Sequence, residues 1–197
     1  MPHLLFITHA DVEIDPKVAV PDWQLTARGR ARHRALIQHP WVAEIRAVYS
    51  SAEGKAREGA QILSGALHCP HQIDTDLHEN DRSATGYLPK AAFERQVDAF
   101  FARPEQSVQG WESARSAQRR IVTACQRVAA AREPGTSVAI VAHGGVGALL
   151  LAWLAGQPIS RRFDQPAGQG GHMLRIRLPD WHLTDGWVRI DREGERI

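Results

Sequence analysis

Cysteine is scarce in this chain of 197 residues: there are two, Cys69 and Cys125, and no metal-type spacing joins them. Two thiols in a chain of this size suit a reducing compartment, so the cytoplasm is the expected location. Long apolar runs are missing too. Nothing approaches the roughly 18 apolar residues that a membrane helix needs. The run from Leu4 to Ile7 is too short for the core of a secretion signal, and His9 and Asp11 break it off. Charge of one sign is also lacking. The formal net charge is +2, and the basic residues are scattered rather than massed. Nucleic acid and membrane partners both ask for a clustered basic face, so neither is expected, and no aromatic-basic stripe or nucleic-acid motif is present. There is no repeat, linker or low-complexity tract. A hydrophobic share of 43% gives enough apolar surface for one core, and a single domain over 1–197 is the expectation.

What is present is an alternation of strand-like and helix-like segments. Leu4 to Thr8 reads as a buried strand ending at His9. Thr26 looks like a helix cap, followed by a helix over Ala27 to Gln38 with Ala31, Ala35 and Leu36 inward. Ile45 to Tyr49 reads as a strand. Ser50 or Ser51 would cap a helix over Ala52 to Ala66 that turns Ala56, Ala60, Ile62 and Leu63 inward. A short strand is expected over Ile73 to Leu77. Lys90 to Ala102 and Trp111 to Arg132 read as helices, separated by Arg103-Pro104 and stopped by Pro134-Gly135. Ser137 to Ala142 is the clearest strand, running into His143-Gly144-Gly145 and an apolar helix from Val146 to Leu154. Gly170 to Leu178 and Trp187 to Asp191 read as late strands that could pair as a hairpin. Strands alternating with helices predict a three-layer α/β fold, a mostly parallel sheet with helices on both faces.

Ligands of open α/β sheets gather at the carboxyl ends of the strands. Three strands end there in polar residues: Thr8-His9, Ser50-Ser51 and His143-Gly144-Gly145. If they are neighbours, two histidines and a helix N-terminus share one crevice. Histidine can carry a group covalently, and a helix N-terminus with glycine amides suits an anion, phosphate being the commonest. A lone histidine at a strand end is more often an ordinary polar residue. It is the pair, His9 and His143, that points to a site.

Several segments together resemble the histidine phosphatase superfamily, the phosphoglycerate-mutase-like fold. Ile7-Thr8-His9-Ala10 resembles its Arg-His-Gly motif, keeping the histidine and losing both neighbours. Leu25-Thr26-Ala27-Arg28-Gly29 resembles its Leu-Thr-x-x-Gly helix start. Ser50-Ser51-Ala52-Glu53-Gly54-Lys55-Ala56-Arg57-Glu58-Gly59-Ala60 is similar to its Ser-Ser-x-x-x-Arg-Ala-x-x-Thr-Ala helix. Leu77-His78-Glu79 resembles the segment with the acidic proton donor, and Val141-Ala142-His143-Gly144-Gly145 the second-histidine motif. Order and spacing agree from about Leu4 to Leu154. Asp81 to Gly86, Phe100 to Pro104 and Gly110-Trp111-Glu112 look like a small bacterial subgroup whose insert would wall the site.

The resemblance implies a cofactor-independent phosphomonoesterase in which His9 becomes a phosphohistidine, His143 stabilises the phosphoryl oxygens and Glu79 serves as acid, then base. Thr8, Lys55, Arg82 and Gly144 would hold the phosphate. No metal or cofactor is implied, and His68 and His71 beside Cys69 lack a second ligand cluster for zinc. Asp76, Asp81 and Glu112 are rival acids, and Trp111 is core or pocket wall. Two of the departures from the family pattern replace charged forks: Thr8 and Lys55 stand where relatives have arginines. Arg82 together with Lys55 is the expected replacement for that charge. The partner is a phosphorylated small molecule or phosphoprotein. The alternative is a catalytically weak or inactive member that binds such a ligand. Specificity is expected in the wall from Glu79 to Glu112 and the loop around Gln165-Pro166. Substrate and oligomeric state are not written in the sequence.

Overall fold

The computed structural model describes residues 1–191. Strands β1 (His3–Thr8), β2 (Ile45–Ser50), β3 (His71–Ile73), β4 (Ser137–Ala142), β5 (His172–Arg177) and β6 (His182–Arg189) form one sheet in the order β3-β2-β4-β1-β5-β6. The first four positions pair in parallel, and β5 and β6 join antiparallel at the β1 edge. Helices α1 (Ala27–Leu36), α2 (Gly54–Leu67), α3 (Lys90–Ala102), α4 (Ala114–Ala131) and α5 (Gly144–Leu154) cover both faces. This is the three-layer, mostly parallel α/β architecture that the alternating segments imply.

The period of two along each strand sorts its side chains between the layers. Leu4 and Phe6 of β1 join Val138 and Ile140 of β4 in a core under α3, α4 and α5. Leu5 and Ile7 join Ala139 and Val141 in a second core under α1 and α2. Both strands are buried on both faces, which is why they read as unbroken apolar runs.

Several boundaries differ from expectation, each for a local reason. β3 lies at His71–Ile73, ahead of the predicted strand, and Thr75–Leu77 is a 3-10 turn started by the Asp74 carboxylate, which accepts from the Asp76 amide at 3.0 Å. The α2 N-cap is Glu53, not a serine: Ser50 lies in β2 and donates to its neighbour's carbonyl, while the Ser51 hydroxyl faces His143. α4 begins at Ala114 because Ser113 caps it, leaving Trp111 in the preceding loop, buried, with its indole N–H on Thr85 Oγ1 at 2.8 Å. The last strand is His182–Arg189 and forms the antiparallel hairpin with β5. On α1, Thr26 caps as expected, but Ala31 is exposed and the helix instead buries Arg32 and His33. Arg32 meets Asp11 at 2.9 Å, Asp191 at 3.2 Å and the carbonyls of Gly170 and Gly171. A periodicity of apolar residues cannot find a face that is buried because its charges are paired.

Candidate active site

The carboxyl ends of β1 and β4 meet where the His9 amide donates to the Ala142 carbonyl at 3.0 Å. Beyond that bond the His9 ring folds back so that Nδ1 lies 3.0 Å from the Ala10 carbonyl oxygen. A carbonyl only accepts, so Nδ1 carries the proton and Nε2 keeps its lone pair. The Ala10 peptide is held from its other side: its N–H donates to His33 Nε2 at 3.2 Å. His33 is fully buried and lies flat against Gly59, where a Cβ would fall 2.6 Å from its Cε1. Burial, then the Lys55 charge, pushes the His9 imidazolium down to about 4, so the ring is neutral at pH 7.

His143, first residue beyond β4, is fully buried with its ring edge-on to His9 at a centroid separation of 5.2 Å. Its Nε2 lies 2.7 Å from Ser51 Oγ and 3.2 Å from Glu53 Oε1, while Nδ1 is buried without a hydrogen-bond partner among the described residues. Burial pushes this imidazolium down to about 3, with the Glu53 carboxylate opposing. Burial would raise the Glu53 carboxyl, but the adjacent His143 ring, the Lys55 charge and the hydrogen bonds from Lys55 and the Glu79 amide hold it well below the carboxylate range. With His143 neutral, Lys55 is the charge that keeps Glu53 ionised. Lys55 Nζ lies 2.5 Å from Glu53 Oε2 and 2.9 Å from the Val20 carbonyl, with only 2% of the residue exposed.

Glu79 is docked onto the start of α5. Its carboxylate accepts from the amides of Gly145 at 3.0 Å and Val146 at 2.9 Å, and from Asn80 at 3.0 Å. A Cβ at residue 145 would fall 2.7 Å from Glu79 Oε1, so glycine there is what lets the carboxylate approach. The segment before it is strapped by Arg120 of α4, which donates to the carbonyls of Asp76, His78 and Glu79 and pairs with Glu112 at 2.7 Å. The rival acids are thereby sorted. Glu112 is taken by Arg120, Asp76 by Arg127, and Asp81 accepts from the Ser83 amide. Glu79 alone of the four lines the same cavity as His9.

That cavity has a volume of about 240 Å3. Arg82, Phe93, Trp111, Gly144, Asp164 and Gln165 are among its walls. Arg82 stacks on the Phe93 ring, 5.1 Å from its centroid, and has no carboxylate partner among the described residues. It also lines the two neighbouring cavities, of about 710 and 270 Å3. Asp164 is paired with Arg161 at 2.9 Å; burial raises its carboxyl despite that arginine. Thr8 is fully buried, and its hydroxyl is engaged by Gln165 and by the backbone of His172. The structure thus brings His9, Glu79, Arg82 and Gly144 to one cavity, with His143 and Lys55 beneath it and Thr8 behind Gln165. Glu53, His33, Arg120 and Asp164 were missed. Glu53 was in plain view, two residues before Lys55, and the chemistry of a buried lysine demanding a counter-ion is the signal that would have found it. Among the described residues no group of three or more His, Cys, Asp or Glu side chains could hold a metal ion.

The sequence model of the histidine phosphatase superfamily (branch 1) matches residues 4–178. The chain belongs to that superfamily. Its fold is shared by YhfR of Bacillus stearothermophilus, with a TM-score of 0.79, 23% identity, and coverage of 98% of this chain and 100% of that one. The mycobacterial glucosyl-3-phosphoglycerate phosphatase in complex with inorganic phosphate gives a TM-score of 0.79 at 19% identity, covering 98% of this chain and 100% of that one. The protein TTHB049 of Thermus thermophilus gives 0.67 at 21% identity, with 95% and 99% covered. No curated protein sequence matches. No helix among the described residues of this superfamily member is long and apolar enough to cross a membrane.

Proposed function

We propose that this chain is a phosphomonoester hydrolase that works, without metal or cofactor, through a phosphohistidine at His9. The observation that carries the reading is the His9 ring: Nδ1 is committed to the Ala10 carbonyl, the ring is neutral at pH 7, and Nε2 is left as a nucleophile in the cavity. In the first step Nε2 bonds to phosphorus while the ester P–O bond breaks, the leaving oxygen taking a proton from the Glu79 carboxyl. In the second, water gives its proton back to Glu79 and its oxygen to phosphorus as the P–N bond breaks. Glu79 lies at the cavity wall, strapped in place by Arg120, which suits a group used twice.

Phosphoryl charge would be met by the first amide of α5. Glu79 holds the amides of Gly145 and Val146, and the Gly147 amide goes to the His143 carbonyl; the Gly144 amide has no acceptor among the described residues. With the Ser51 hydroxyl donating to Nε2, the neutral His143 ring carries its proton on the unpartnered Nδ1, which would donate to a phosphoryl oxygen. Arg82 supplies a cation at the rim, and Lys55 a charge whose effect Glu53 largely cancels. Soluble phosphorylated metabolites or phosphoproteins of the cytoplasm are the substrates this reading expects, acted on by a single domain.

Lys55 also favours a second reading. An ammonium committed to Glu53 and Val20 is a poor transition-state donor, and losing such a donor costs on the order of 10²–10³ in rate. A weak or inactive member that binds phosphorylated ligands would result. Turnover of an aryl phosphate and a metabolite panel, with His9→Ala as the control, separates the two. Metal-independent release of phosphate by the native protein alone supports the hydrolase. Equal silence of both, with phosphate still raising the melting temperature, leaves the binder.

A further inference from the structure

Relatives hold the phosphoryl group with an arginine beside the first histidine, and this chain has Thr8 there. The side chain of Thr8 is fully buried and its hydroxyl is occupied. It donates to Gln165 Oε1 at 2.7 Å, lies 3.2 Å from the His172 carbonyl, and accepts from the His172 amide at 3.0 Å. The shorter contact takes the single hydroxyl proton. Thr8 therefore reaches no ligand itself, but it fixes which way the Gln165 amide faces. With Oε1 turned to Thr8, the NH2 group points to the start of α5, where a Cβ on residue 144 would fall 2.2 Å from Nε2. Gln165 lines the cavity with His9, Glu79 and Gly144, and no residue described accepts from its Nε2. Glycine at 144 is what gives the amide its place.

We propose that Gln165 Nε2 is a phosphoryl-oxygen donor standing in for the missing arginine, and that Thr8 is the positioning residue that orients it. This rests on the site being a phosphate site, the reading given above. A neutral N–H donor held ready in place stabilises an anion without a charge of its own. The pair joins residues 157 positions apart in sequence, one at the end of β1 and one just before β5. The loss of arginine at position 8 is thus answered from a different loop.

The test uses inorganic phosphate binding, by calorimetry, and aryl phosphate kcat/KM on the native chain, Gln165→Leu, Thr8→Val and the double variant. Gln165→Leu should weaken phosphate binding about tenfold and lower kcat/KM by about 10²-fold, as loss of a transition-state donor does. Thr8→Val should show much of the same loss although valine cannot touch the anion. Thr8→Ser, which keeps the hydroxyl, should restore it. The double variant should be no worse than Gln165→Leu, since both remove one interaction. Native-like binding and turnover in Gln165→Leu overturns the proposal, as do losses that multiply in the double variant. If Thr8→Val does not fold, Gln165→Leu and Thr8→Ser decide alone. If the native chain binds phosphate but turns over nothing, the hydrolase reading fails and Gln165 stands or falls on phosphate binding. A native chain that binds no phosphate overturns both.

Discussion

Beneath the cavity, every charge is buried and matched. Lys55, Glu53, His143 and Ser51 form a closed chain of contacts that ends on the Glu79 amide. Around its rim the pattern reverses: Arg82 has no carboxylate partner among the described residues and stacks on Phe93, and Ile14, Val18 and Tyr87 expose apolar surface along the adjoining cavities. A buried ionic floor can be broken only at the cost of leaving an uncompensated charge, whereas an open rim can change with little effect on folding. The floor should therefore control whether the protein stands and reacts, and the rim what it selects.

The largest effect is expected at Glu53. Glu53→Ala leaves Lys55 charged and buried and takes away the acceptor of the Glu79 amide. A loss of about 3–5 kcal/mol in urea unfolding is expected, with activity falling alongside. A change below about 1 kcal/mol would mean that the floor is not the closed network described.

Acid should break the floor next. His9 and His33 are pushed down to about 4 and His143 to about 3, chiefly by burial. Above about pH 7.5 each ring is neutral folded and unfolded, and contributes nothing to pH dependence. Below it, the unfolded chain takes up protons that the fold refuses, so stability falls until the folded values are reached. Glu53 acts in the same direction at lower pH, because its carboxyl stays ionised in the fold while the unfolded chain takes up a proton below about 4.5. Each buried imidazole should cost on the order of 1–2 kcal/mol at pH 5 relative to pH 7.5, read by urea midpoints. A flat profile over that range would show that the rings are solvated.

Gly59 tests the contact beneath His9. Gly59→Ala drives a methyl group to 2.6 Å from His33, which holds the Ala10 peptide that in turn orients His9. About 1–3 kcal/mol of destabilisation is expected, with kcat falling more than KM rises. Gly59→Ala with unchanged kcat would detach His33 from the nucleophile.

The same contrast explains what could be read without coordinates. The apolar strands β1 and β4 and the histidines at their ends announce themselves, because a strand buried on both faces leaves a continuous apolar run and a polar stop. The floor does not. Glu53 and Lys55 look like an exposed helix start, Arg32 and His33 like a solvated face. Glu53 and Lys55 pair with each other, but the groups that complete their burial, and that of Arg32 and His33, are distant in sequence: His143, the Val20 carbonyl, Asp11 and the Ala10 amide. Gln165 is similarly silent, since its role follows from a hydroxyl 157 positions away. Apolar patterning is local information. Paired burial is not.

Arg82 should give the smallest effect on stability and the sharpest separation of rim from floor. Its stacking on Phe93 at a half-exposed site is worth about 0.5–1 kcal/mol, so Arg82→Gln should leave the urea midpoint almost unmoved. Its charge faces the cavity unpaired by any described carboxylate, so the variant should raise KM for phosphomonoesters several-fold and weaken the salt dependence of kcat/KM. Kcat itself should change less, because the donors nearest the nucleophile belong to α5 and its neighbouring loop. If kcat falls by two orders of magnitude with KM unchanged, Arg82 meets the transferring phosphoryl group directly, and the division between a reacting floor and a selecting rim has to be redrawn through that residue.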